Sequence, residues 1–282
     1  MSAAAPVGLG EPGVERALFL ALLGVFVLYG IAWITLGPLP QDPAYHLLAD
    51  TRTCLGIPRA GDVLTNFAIL GAGLFGLVLS PGMNISDEER PAVALLIAGT
   101  FFTAAGSAYY HWAPSNATLV WDRLPMMLTI PPILVLVLAD RVHPAFARKA
   151  LVPITAFAVG SVLWWAASEA LGREDVRLYL MVRVLMAAAL LALVAFRPGR
   201  HTGTGWLVGA LLAEATLTAF ERFDHEIFRW TGGLASGHNL KHAMVGVALV
   251  CVFCWLRYRR KRPIVGDPGA TVPRPAPAID GG

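Results

Sequence analysis

The sequence predicts an all-α integral membrane protein, on three observations: its composition, the block spacing of its apolar residues, and the placement of its lysines and arginines. Of 282 residues, 56% are hydrophobic and only 15% charged, too little polar surface to cover a soluble core of this size. The apolar residues gather into eight blocks, at about 17–37, 62–80, 91–112, 118–139, 150–170, 178–196, 205–223 and 237–255. Each is close to the roughly 20 residues that one helix needs to cross the hydrocarbon. The net charge of +3 is small and points away from a nucleic-acid partner. The bilayer is the expected partner.

The first block has Glu11 and Glu15 where a secretory signal would be basic, and no small-residue cleavage site follows it. It is therefore read as a retained helix, with residues 1–16 before it as a cytoplasmic segment. The second block opens on Asp62, Thr65 and Asn66, the third ends at His111, and the fourth opens at Asp122 and contains Pro131-Pro132, a predicted kink. Arg183 in the sixth block is expected to pair with Glu214 or Glu221 in the seventh. The eighth opens with His238 and His242. It also holds Cys251 and Cys254, read as small apolar packing residues.

Orientation follows the positive-inside rule. Arg257, Arg259, Arg260, Lys261 and Arg262 follow the last block, which places the C-terminus in the cytoplasm. Counting back, the loops with Arg197 and Arg200, and with Arg141, Arg148 and Lys149, fall on the same side. The intervening loops are acidic or mixed, so both termini are expected to be cytoplasmic. Residues 258–282, basic and then rich in Pro and Gly, read as a disordered tail.

Ionisable groups inside membrane helices are costly and mark function by default. Here His111, Asp122, His238 and His242 all fall at the extracytoplasmic ends of their blocks. Ser107 and His111 are four residues apart, sharing one helix face about 6 Å apart along the axis, and His238 and His242 repeat that spacing. An i,i+4 histidine pair plus a third histidine is a three-ligand set, the arrangement that leaves a catalytic zinc (Zn2+) one open position. Imidazole favours zinc over magnesium or calcium. His46 and His225 lie in extracytoplasmic loops as competing ligands without a helical partner. His143 and His201 lie on the other side. Arg123 and Lys241 flank the site and are expected to snorkel to the interface.

The stretch Gly106-Ser107-Ala108-Tyr109-Tyr110-His111, followed by Trp121-Asp122-Arg123-Leu124-Pro125-Met126, resembles the central motif of the alkaline ceramidases. These belong to the seven-helix CREST superfamily of membrane hydrolases, together with the adiponectin-type receptors. Gly237-His238-Asn239-Leu240-Lys241-His242 resembles the C-terminal H-x-x-x-H of that group, and Asp62-Val63-Leu64-Thr65-Asn66-Phe67 resembles the polar start of its first core helix. The likeness covers residues 50–257. It implies an extra N-terminal transmembrane helix (17–37) followed by a seven-transmembrane-helix bundle.

The resemblance further implies that His111, His238 and His242 hold zinc, with Asp122 and Ser107 as the catalytic pair beside it. The reaction it implies is cleavage of a ceramide-like lipid amide to a fatty acid and a sphingoid-type amine. Asp122 would move the proton and Ser107 would donate to the developing oxyanion. The acidic segment that binds calcium (Ca2+) in the eukaryotic enzymes has only Asp42, Asp50 and Asp62 as loose substitutes, so calcium control does not carry over. The competing expectation is a seven-helix receptor or sensor that keeps a structural zinc.

Overall fold

The computed structural model of the protein describes residues 12–35 and 37–263. The expectations for residues 1–11 and 264–282 fall outside the described residues. Ten α-helices are found among those described: α1 Pro12–Thr35, α2 Ala60–Leu64, α3 Phe67–Leu79, α4 Arg90–Trp112, α5 Asn116–Arg141, α6 Pro144–Ala170, α7 Arg177–Phe196, α8 Thr204–Arg222, α9 Asp224–Trp230 and α10 Gly237–Tyr258. No strand forms among the described residues. Six segments are long and apolar enough to cross a membrane: Ala60–Gly82, Arg90–Trp112, Asn116–Arg141, Pro144–Ala170, Arg177–Phe196 and Gly237–Tyr258. The chain is thus an all-helical protein of the multi-pass membrane type. Helix α8 carries Glu214, Glu221 and Arg222 and is not among the six.

Helix ends follow their caps. Ser115 opens α5 in a capping box with Thr118, and Ser236 opens α10 in one with Asn239. His143 caps α6 by accepting from the Ala145 amide at 3.2 Å. The second apolar block, expected as one helix, is interrupted at Thr65 and Asn66. Both side chains bond back to carbonyls of the preceding turn, Thr65 to Gly61 at 2.7 Å and Asn66 to Asp62 at 2.9 Å, competing with the helix ladder. By contrast, α5 runs without interruption through Pro125, Pro131 and Pro132. All three prolines are buried, so the bonds they remove face protein and not lipid.

Small residues let the helices approach. A Cβ on Gly106 would lie 2.0 Å from the Trp121 carbonyl oxygen, and one on Gly246 would lie 2.9 Å from that of Ala68. These contacts press α4 onto α5 and α10 onto α3. Helix α8 packs on α10 and barely touches α7. Helix α1 rests on α7, where Arg177 stacks on the Trp33 ring at 4.2 Å and donates to the Trp33 carbonyl at 2.7 Å.

The two ends of the bundle differ in charge. At one end, Arg141, Arg200, Arg257 and residues 259–262 gather where α5, α7 and α10 finish. Asp140, fully buried there, holds His201 at 2.7 Å and Arg141 at 3.1 Å. Arg259, read from sequence as part of a disordered tail, is instead fully buried. It clasps Glu89 at 2.7 Å and covers the Trp255 ring. At the opposite end, residues 37–59 fold over the helix termini, tied down by Ala49 to Asp224 at 2.9 Å and Gln41 to Glu174 at 3.0 Å.

Candidate metal centre and its cavity

The end under that loop holds the three histidines. His111 sits in the last turn of α4, and His238 and His242 in the first two turns of α10. All three are buried, and one ring nitrogen from each lies within 4.8 Å of the others. His111 Nε2 and His238 Nε2 are 3.2 Å apart. Two nitrogens each about 2.0–2.1 Å from a tetrahedral ion would be separated by about 3.3 Å, so this spacing suits a shared metal.

Packing and hydrogen bonding prepare the ligands. Gly237 lets α10 begin hard against the end of α8, since a Cβ there would meet the Phe220 carbonyl oxygen at 2.1 Å. Asp224 accepts the His238 backbone N–H at 2.7 Å. The Thr65 hydroxyl lies 2.7 Å from the Gly61 carbonyl and 2.9 Å from His242 Nδ1; with its one proton on the Gly61 carbonyl it accepts from that nitrogen. His242 Nε2 is then left with a free lone pair. His111 Nδ1 is buried without a hydrogen-bond partner among the described residues. The donor set, three imidazoles and no carboxylate, fits a zinc-like ion better than a hard cation.

Ser107 and Asp122 stand beside the cluster. Together with His242 they line a cavity of 220 Å³. Its polar end also carries Tyr45, Glu221 and Lys241. Beyond these and the Arg183 and Glu214 side chains the wall turns apolar, through Ile133, Val137, Leu190, Val194, Leu207 and Val252. Burial pushes the Tyr45 phenol up to about 12, so it stays protonated, a hydroxyl donor in the same lining as Glu221.

The five site residues expected from sequence are therefore brought to one place, while two neighbours differ from expectation. Arg123 does not reach the interface. It is buried, donates to Gln41 at 2.6 Å, and lies over the rings of Trp165 (4.4 Å) and Tyr179 (4.5 Å), because the covering loop folds Gln41 down onto it. Lys241 likewise turns inward to Glu221 at 2.8 Å and lines the cavity. His46 is engaged by Tyr110 and Asn116, at 3.0 and 2.9 Å, and His225 by the Leu47 carbonyl at 3.0 Å; neither joins the cluster. His143 and His201 sit at the far end. Of the loose calcium substitutes, Asp42 caps Ala44 at 2.9 Å and Asp62 accepts from Asn239 at 2.6 Å. Burial works to raise Asp50, but hydrogen bonds from Arg52 outweigh it and hold the carboxyl below its usual range.

Thr65, Asp224, Gly237 and Lys241 are the participants that sequence reasoning missed. Three of them had a signal: Lys241 lies inside the H-x-x-x-H, Gly237 directly precedes it, and Thr65 lies in the Asp62–Phe67 stretch. Comparison of the sequence with protein-family models and with curated proteins gives no match.

Proposed function

We propose that the protein is a zinc-dependent membrane hydrolase of the alkaline ceramidase kind, cleaving the amide bond of a ceramide-like N-acyl lipid. The observation that carries this reading is one shared cavity. His242, one of the three clustered buried histidines, lines it together with the Asp122 carboxylate and the Ser107 hydroxyl, and beyond two charged pairs its wall is apolar and suited to a lipid chain.

His111, His238 and His242 would hold the metal. When bound, zinc supplies Lewis acidity, polarising a carbonyl and acidifying water at neutral pH. Asp122 takes the proton from the attacking water and later delivers it to the leaving nitrogen, giving a carboxylic acid and an amine. Ser107 first donates to the Asp122 carboxylate. Once Asp122 is protonated it can donate to Ser107 in return, which frees the serine proton for the developing oxyanion.

On this reading α1 and α8 also cross the bilayer, giving the extra N-terminal transmembrane helix and the seven-helix bundle. Both termini are then cytoplasmic and the metal centre lies near the extracytoplasmic face. Support comes from the basic residues collected at the end of the bundle away from the histidines.

The test is bound metal and fatty-acid release, measured on purified wild type and His242→Ala with a panel of N-acyl lipids. Near-stoichiometric zinc, with metal and hydrolysis both lost in the variant, is the expected result. Zinc without cleavage of any amide lipid would favour a receptor or sensor with a structural ion. A well-folded wild type without zinc would sink the metal site and the mechanism together.

A further inference from the structure

Two ion pairs line the cavity that holds Ser107, Asp122 and His242, and they are built differently. Lys241 and Glu221 form a closed contact at 2.8 Å. Arg183 and Glu214 stand 3.8 Å apart, beyond hydrogen-bond length, and keep 35% and 50% of their side-chain surface accessible. This second pair spans α7 and α8, which otherwise barely touch. A charged pair at this depth is costly, and leaving it open forgoes the short contacts that would offset the cost.

Depth relates this pair to the reaction. Asp122 and Arg183 are each six residues in from the helix starts at Asn116 and Arg177, about 9 Å along each axis. Asn116 donates to Glu174, just ahead of α7, at 3.0 Å, which holds the two helix starts together, and Glu214 is eight residues from the α8 end at Arg222, about 12 Å by the same rise. A lipid whose amide lies at Asp122 therefore has Arg183 and Glu214 near its scissile bond, and the apolar wall lies deeper. Whatever occupies the open pair belongs to the head of the lipid. The two pairs contribute two cations and two anions and balance each other, so the pairs themselves give no net attraction for a phosphate, a carboxylate or an ammonium; the third carboxylate of the lining, Asp122, is engaged at the scissile bond. A hydroxyl fits, because it can donate to Glu214 while accepting from Arg183.

We propose that Arg183 and Glu214 are specificity-determining residues that clasp a head-group hydroxyl, selecting neutral N-acyl amino alcohols. This rests on the amide-lipid reading above for the position of the scissile bond. The test is equilibrium binding of sulfonamide analogues, which resist cleavage, to zinc-loaded wild type, Arg183→Gln and Glu214→Gln. The analogues share one chain and carry a hydroxyl, a hydrogen or a carboxylate on the head. Wild type is expected to prefer the hydroxyl over the hydrogen analogue by roughly tenfold or more. That ratio should fall to near one in either variant, with zinc content unchanged.

A wild type without preference, or one preferring the carboxylate, would overturn the proposal. So would variants that bind both neutral analogues more weakly by the same factor, the behaviour of a merely structural ion pair. Hydrolysis of the matching cleavable amides is read alongside. A preserved hydroxyl preference without any cleavage would remove the hydrolase reading and leave the clasp standing.

Discussion

The Thr65 hydroxyl bridges the Gly61 carbonyl, at 2.7 Å, and His242 Nδ1, at 2.9 Å. With its one proton on the Gly61 carbonyl it accepts from Nδ1 and sets the His242 tautomer. That arrangement directs the His242 Nε2 lone pair toward His111 and His238. The interruption between α2 and α3 is what presents Thr65 to a helix 177 residues away.

Thr65→Val keeps the shape and removes the acceptor. Outer-shell partners of this type are worth about 10- to 100-fold in metal affinity. Competition against a chelator should therefore show zinc affinity reduced by that factor in Thr65→Val and retained in Thr65→Ser. Equal affinity in all three proteins would show that the tautomer is set elsewhere.

Zinc should also stabilise the fold, because the three ligands converge only when α4 and α10 are packed. An ion at 100 times its Kd adds about 2.7 kcal/mol to a protein that binds it only when folded. Thermal unfolding of metal-stripped protein in detergent should shift upward on zinc addition, and His111→Ala should show no shift. Magnesium at the same concentration should do nothing measurable, since the donors are all imidazole.

The parts of the site readable from sequence were those with local spacing. His238 and His242 repeat every four residues, and His111 and Asp122 stand at the ends of apolar runs, so membrane depth alone aligns them. Arg123 and Lys241 were misread because long basic side chains near helix ends default to the interface. Nothing local in the sequence says that residues 37–59 fold over that end and bring Gln41 and Tyr45 onto them. Thr65 and Asp224 act through partners far along the chain, which spacing arguments cannot reach. Arg259 was assigned to a solvated tail on composition, and only the distant Glu89 draws it into the bundle.

Gly106 is required by close approach. A Cβ there would meet the Trp121 carbonyl oxygen at 2.0 Å and Pro125 at 3.2 Å, and backbone cannot rotate out of the way. Gly106→Ala must push α4 from α5, at a cost of about 1–3 kcal/mol for overpacking. Because Ser107 is the next residue and Asp122 follows Trp121, the same shift separates Ser107 from Asp122, the proposed catalytic pair. On the proposed function, lipid amidase activity should drop more steeply than zinc content, which depends on His111 one turn further on. Loss of both in parallel would mean that the whole helix end had moved.

Acid should loosen the end of the bundle that carries the site. Hydrogen bonds from Arg177, at 2.7 and 2.8 Å, hold the Asp175 carboxyl below its usual range. With a folded-state pKa lower than the unfolded value of about 4, the contribution is full above that value. It is lost as pH falls through the depressed one. Wild-type stability arising from this pair should thus be flat from neutral pH to about 5 and decline below 4. Asp175→Asn should begin lower at neutral pH, by about 2 kcal/mol for a hydrogen bond to a charged group, and show a shallower acid decline. Denaturant unfolding of the two proteins, followed by far-ultraviolet circular dichroism across that pH range, measures both. An acid slope identical in the two proteins would assign the loss to other carboxylates at that end.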